Sequence, residues 1–211
     1  NFDIVFSEKQ IRRAVRIEHR YELSTALKEL GIELPRPSIV VVGGAARMAA
    51  PILFQLHELF LKGIAQFAED RKLYVVDGAT DAGVIQMIGQ ARAEVDARFD
   101  LIGVAATGTV ALPQLAPPSA EAWPLESNHT HFISVPGSNW GDAAGWIAPT
   151  ASVLSGAARS VTILVNGGES ADTVVAFGAK EQSLSDVDVI LARQVSGVSG
   201  VVTDAGGRPF G

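Results

Sequence analysis

The densest group of chemically capable side chains in this chain is Glu126, Asn128, His129 and His131. On a strand, His129 and His131 share one face, because successive side chains alternate. With Glu126 they offer two nitrogens and a carboxylate to a divalent ion. Without a further ligand this is a weak metal signal. The expectation is therefore a hydrogen-bonding or structural role and no bound metal, with one histidine, His129, reaching a ligand. Asp77, Asp142 and Glu169 add carboxylates elsewhere. Such groups can do acid–base work at a glycosidic bond, and at a strand end they can accept hydrogen bonds from ribose hydroxyls.

Three glycine-rich turns supply the second kind of chemistry. They are Val42-Gly43-Gly44-Ala45, Asp77-Gly78-Ala79-Thr80-Asp81-Ala82-Gly83 and Asn166-Gly167-Gly168-Glu169-Ser170. Each follows a short β-branched run (38–42, 73–76 and 161–165) and precedes a helical pattern. Glycine lets backbone N–H groups approach an anion, and the following helix N-terminus adds partial positive charge. Arg47, just past the first turn, is placed to reach the same crevice. Thr80 and Asp81 either face a ligand or cap the next helix. Glu169 and Asn166 lie in the third turn. A further loop, Gly137-Ser138-Asn139-Trp140-Gly141-Asp142, offers Trp140 to a base or to the core. In that loop Ser138 is a candidate contact, and Asp142 binds ribose or caps a helix.

These residues need a scaffold, and strand–turn–helix repeats provide one. Strands are expected at 38–42, 73–76, 101–105, 131–135, 161–165 and 187–192, and the unbroken apolar run in 38–42 implies burial on both faces. Helices are expected from Pro51, with Leu53, Leu56, Phe60, Ile64 and Phe67 inward, and after residue 83, with Val84, Ile88, Ala91, Val95 and Phe99 inward. Helices are also expected over 143–155, kinked by Pro149, and over 171–180. Residues 106–128 hold four prolines and no period, and a loop of that length is usually functional or disordered. The pattern predicts an α/β fold, Rossmann-like and doubly wound, with a mainly parallel sheet and helices on both faces. Ser7 and Gln10 resemble a capping box, and Ile11 and Val15 a thin apolar stripe. Residues 1–36 therefore read as an N-terminal helical extension, 37–205 as the main domain and 206–211 as a flexible tail.

Composition excludes several classes. The chain has 211 residues, 47% hydrophobic and 19% charged, with a net charge of −6 and no cysteine. That is enough apolar content for a core and too acidic for a general nucleic-acid surface. Disulfides, thiolate catalysis and cysteine-held metals are excluded, which fits a cytoplasmic setting. No apolar run approaches the length of a membrane span, so no membrane contact is expected within this chain. An effector or membrane module outside it is compatible with a chain starting at Asn1.

Five motifs together resemble the prokaryotic LSDAT domain of the SLOG superfamily, whose relatives include LOG phosphoribohydrolases, Smf/DprA proteins and the N-terminal region of TRPM channels. The motifs are Val41–Ala45, Asp77–Val84, Leu125–Phe132, Gly137–Asp142 and Leu164–Gly168. The resemblance implies a sensor for a nucleotide-derived small molecule, with ADP-ribose or another NAD-derived compound as the leading class, and frequent self-association into homo-oligomers. No cofactor is expected. The departures are Ala79 where relatives usually carry a second glycine, and Val198 and Val201 where a glycine and an arginine are usual. At Asp142 relatives usually carry glutamate. Laid on the LOG signature, Val174 occupies the catalytic glutamate position, which argues against that activity. Two other readings stay open: an N-glycosidic hydrolase acting on a nucleotide or NAD derivative, and an assembly module with a vestigial pocket.

Overall fold

The computed structural model describes residues 1–43, 56–156, 160–165, 187–193 and 196–198. The strands are β1 (Phe2–Ser7), β2 (Gln10–Arg16), β3 (Ser38–Val42), β4 (Tyr74–Asp77), β5 (Leu101–Ala106), β6 (Val110–Ala111) and β7 (Trp123–Pro124). They continue with β8 (His131–Val135), β9 (Ser160–Val165), β10 (Val187–Arg193) and β11 (Ser196–Val198). The α-helices are α1 (Leu23–Glu29), α2 (Gln66–Arg71), α3 (Gly83–Glu94) and α4 (Ala144–Leu154), and α2 is preceded by a π-helical stretch, Leu59–Ala65. Nine strands form one sheet in the order β1-β2-β8-β5-β4-β3-β9-β10-β11. The run from β2 to β9 is parallel throughout. Antiparallel strands flank it on both sides, β1 beside β2 and β10 with β11 beyond β9. The short strands β6 and β7 form a separate parallel pair.

Strands β3, β4, β5 and β8 carry buried apolar side chains on both faces. Val40, Val76, Ile102, Val104, Ile133 and Val135 pack against α1 and α4. Ile39, Val41, Val75 and Leu101 face the other way, onto the π-helical stretch, α2 and α3. A third cluster, Ile4, Ala14, Ala79, Ala105, Val110, Leu125 and Phe132, lies under the segment joining β5 to β8. A crossover between parallel strands usually carries a helix. Here, residues 107–130 cover that part of the sheet without one.

Three expectations are corrected. First, the helix read from Ser7 onward is the β1–β2 hairpin, and the N-terminal segment joins the sheet through β2–β8 pairing. Its governing period is two: Phe2, Ile4 and Phe6 turn inward, while Asp3, Val5 and Ser7 are exposed. Arg13 lies opposite Asp3 and donates to the carbonyls of Glu29 and Leu30, closing the end of α1. The helical part of residues 1–36 is α1, followed by Gly31 at φ +84°. Second, Phe67 is 49% exposed, although Leu56, Phe60 and Ile64 are buried. The π-helical winding adds a residue per turn and rotates Phe67 off the inward face. Third, α3 ends at Glu94, so Phe99 is buried from the following loop, not from the helix. The expected helix over 171–180, Leu53 and the tail lie outside the described residues.

The hairpin's place in the core is testable. Ile4→Ala should cost about 2–5 kcal/mol in urea denaturation, because Ile4 is almost fully buried. A loosely attached extension would lose far less.

Candidate functional site

At the centre of the sheet, β4 ends on Asp77. Its carboxylate is fully buried, and so is His129, while Glu126 is nearly so. His129 Nε2 lies 2.7 Å from Asp77 Oδ1, and its Nδ1 lies 2.9 Å from Glu126 Oε2. With a carboxylate oxygen on each ring nitrogen, the imidazole must donate at both, so it is held as the cation. Burial is the largest single effect on His129 and disfavours its charge. The Asp77 charge, the hydrogen bond to Asp77 and the bonds and charge of Glu126 together outweigh burial and raise its pKa to about 9. Phe132 stacks on the same ring, centroids 5.4 Å apart.

The surrounding backbone is shaped to this clasp. Ala79 N–H donates to Asp77 Oδ1, and Glu126 N–H donates to the Ala79 carbonyl. Asn128 donates to Glu126 through its backbone N–H at 2.9 Å and its side-chain amide at 2.6 Å. Thr80 bridges Leu125, and Asp81 N–H donates to the Pro124 carbonyl. Ala79 sits at φ +65°, a conformation that costs an L-residue about 1–2 kcal/mol. Its methyl and His129 lie against Gly103, where an added Cβ would come within 2.5 Å of Ala79 Cβ and 2.9 Å of His129 Cδ2. At Gly89 of α3 an added Cβ would overlap the Glu126 carboxylate. Asp77 Oδ2 and Thr80 Oγ1 are buried without a hydrogen-bond partner among the described residues.

Asp77, Thr80 and His129, read as ligand contacts, therefore lie inside the protein, with Glu126 completing the clasp. The metal geometry fails because both nitrogens of His129 face carboxylates and His129 precedes β8. His131 instead bonds the Thr130 hydroxyl. The capping alternatives for Thr80 and Asp81 are also corrected: the N-cap of α3 is Ala82, with no side-chain cap, and Asp81 accepts from Gln86. Gly83, at φ +54°, opens α3. Gly43 lies at the end of β3 and Gly78 at the end of β4. Gly44, Arg47, Asn166, Gly167, Gly168 and Glu169 lie outside the described residues, as do Val174, Val198 as a side chain, and Val201.

Ser138, Trp140 and Asp142 lie in the loop after β8. Ser138 and Trp140 are exposed, and Asp142 is half-buried. Asp142 Oδ2 accepts from the backbone N–H groups of Ser138 and Asn139, at 3.0 and 2.9 Å. Those bonds, that of Asn139 first, hold the Asp142 carboxyl below its ordinary range. It thus braces its own loop, while the N-cap of α4 is Ala143. Trp123, not singled out from sequence, stands beside Trp140, with ring centroids 6.5 Å apart and planes at 77°. Its position two residues before a buried strand-like stretch carries no chemical signature, and only the folded crossover brings it to this edge.

A mainly parallel sheet with helices on both faces defines a Rossmann-like α/β domain. The family model described as "SLOG in TRPM, prokaryote" (LSDAT_prok) matches residues 36–184, most of the chain, and the protein belongs to that family. It is also similar to transient receptor potential cation channel subfamily M member-like 2 of Nematostella vectensis. The two are 27% identical over 135 residues, covering 54% of this chain and 9% of that protein. The chain thus spans less than a tenth of that relative's length. Among the described residues no helix is long and apolar enough to cross a membrane.

Two outcomes test the clasp. Gly89→Ala should destabilise by about 1–3 kcal/mol, although glycine to alanine within a helix ordinarily stabilises by about 1 kcal/mol. Chemical denaturation decides the sign. His129→Gln should cost about 3–5 kcal/mol, since it leaves buried carboxylates uncompensated. Because folding raises the His129 pKa from 6.5 to about 9, its contribution is fully present below the unfolded value and is lost as pH rises through the folded one. Urea midpoints of the parent should fall across that window, and those of His129→Gln should lack this component.

Proposed function

We propose that this domain binds a nucleotide-derived small molecule at the carboxyl edge of its sheet, as a sensing unit that leaves the ligand intact. The observation that carries this reading is strand order. Strands β4, β3 and β9 are neighbours, so the three glycine-rich turns follow three adjacent strands. With strands about 4.8 Å apart, the strand ends that precede these turns lie within about 10 Å of one another, a span suited to one phosphate-bearing ligand. Strand order also reverses at β3, from which the chain proceeds to β4 on one side and later returns to β9 on the other. Ligands of open α/β sheets favour such a switch point.

The carboxylates best placed for acid–base work support binding over turnover. Glu126 accepts from Asn128 and His129, and Asp77 is sealed beneath the crossover. The family resemblance favours ADP-ribose or another NAD-derived compound. Within this reading Arg47 and Glu169 contact the ligand, and the domain self-associates and signals to a partner module.

Thermal unfolding with ADP-ribose, cyclic ADP-ribose, NAD, AMP and ribose 5-phosphate tests this, with mass analysis of each recovered ligand. A ligand at 100 times its dissociation constant stabilises by about 2.7 kcal/mol, or roughly 5–10 °C for a domain of this size. One compound should give that shift and be recovered whole, and Arg47→Ala should weaken it about tenfold without unfolding the chain. No shift across the panel would overturn the reading, and a cleaved ligand would replace it with the hydrolase.

A further inference from the structure

The loops after β4, β5 and β8 meet at one end of the sheet, and their charge is one-sided. Residues 78–82, 107–122 and 136–143 contain Asp81, Glu121 and Asp142 and neither lysine nor arginine. Into this acidic rim project two tryptophans. Trp123 is 38% exposed and Trp140 53% exposed, although large aromatic rings ordinarily seek burial. The two rings meet edge to face, and each side chain keeps part of its surface exposed.

The corner is held from several directions. Trp123 Nε1–H donates to the Asp81 carbonyl at 3.1 Å, and Trp123 N–H donates to the Thr109 carbonyl. Its strand pairs with β6. Trp140 is carried by the loop that Asp142 braces. Two part-exposed indoles on loops that carry three carboxylates and neither lysine nor arginine disfavour phosphate and attract a cation, through the ring quadrupole and through simple charge.

We propose that the Trp123–Trp140 corner receives a positively charged planar ring, an N-substituted pyridinium of the kind an oxidised nicotinamide nucleotide carries. This rests on the reading of the carboxyl edge as the ligand face and adds a direction to it. The cationic ring lies over the ends of β4, β5 and β8, and the rest of the ligand extends toward β3 and β9. The corner thereby discriminates an oxidised ring from its neutral reduced form.

The test uses 1-methylnicotinamide and its uncharged counterpart nicotinamide, neither of which bears phosphate. Each is titrated against the full chain, following tryptophan quenching and the charge-transfer absorption of a pyridinium stacked on indole. The cation should bind about tenfold more tightly than nicotinamide. Trp123→Ala should weaken it about tenfold and reduce the charge-transfer band, Trp123→Phe should restore most of the affinity, and Asp81→Asn with Glu121→Gln should narrow the preference for the cation. Equal affinity for the two probes, unchanged binding by a folded Trp123→Ala, or equal binding of choline would overturn the proposal. If nucleotides bind and 1-methylnicotinamide does not, the corner falls and the nucleotide reading stands. If the pyridinium binds and no nucleotide does, the reverse holds.

Discussion

A buried imidazolium held between two carboxylates organises the centre of this protein. Ion pairs taken out of water are expensive unless every partner is well placed, and here the partners come from distant parts of the chain. Asp77 ends a strand, Glu126 lies in a crossover without a helix, and His129 precedes the next strand. Neighbouring positions conform to that arrangement. Gly89 clears room for one carboxylate, Gly103 for the ring and for Ala79. Ala79 accepts an unfavourable backbone conformation, and its N–H and carbonyl bond Asp77 and Glu126. A glycine there would adopt that conformation without strain, whereas alanine contributes a buried methyl worth about 0.8 kcal/mol against it.

The clasp also explains how a long proline-rich segment becomes architecture. Tied down at 124–126 against 79–81 and at 123 against 109, the crossover does the covering that a helix does elsewhere on the sheet. In doing so it delivers Trp123 to the rim, where the loop braced by Asp142 delivers Trp140. The buried charges and the exposed rings are consequences of one chain path.

The carboxyl edge divides into two chemical halves. Glycine-rich turns follow β9, β3 and β4, while the acidic and aromatic loops follow β4, β5 and β8. The proposed ligand, with an anionic middle and a planar cationic end, would suit that division better than an anion alone. Membership of the SLOG family sets the scaffold, and this chain's own acidic residues and tryptophans set the polarity across it.

Local sequence determined a great deal. Apolar runs buried on both faces, glycine turns at their ends and helical spacing after them specified a parallel α/β sheet, because these signals come from neighbours within one element. The hairpin was written in the alternation of Phe2, Ile4 and Phe6, yet it competed with a capping pattern at Ser7 and only pairing with β8 decides between them. His129 was legible as a special histidine but not as the centre of a clasp, since Asp77 lies 52 residues away. Strand order, which makes β4, β3 and β9 neighbours, and the meeting of Trp123 with Trp140 belong to tertiary structure alone. Both depend on contacts between segments far apart in the chain, and no local period encodes them.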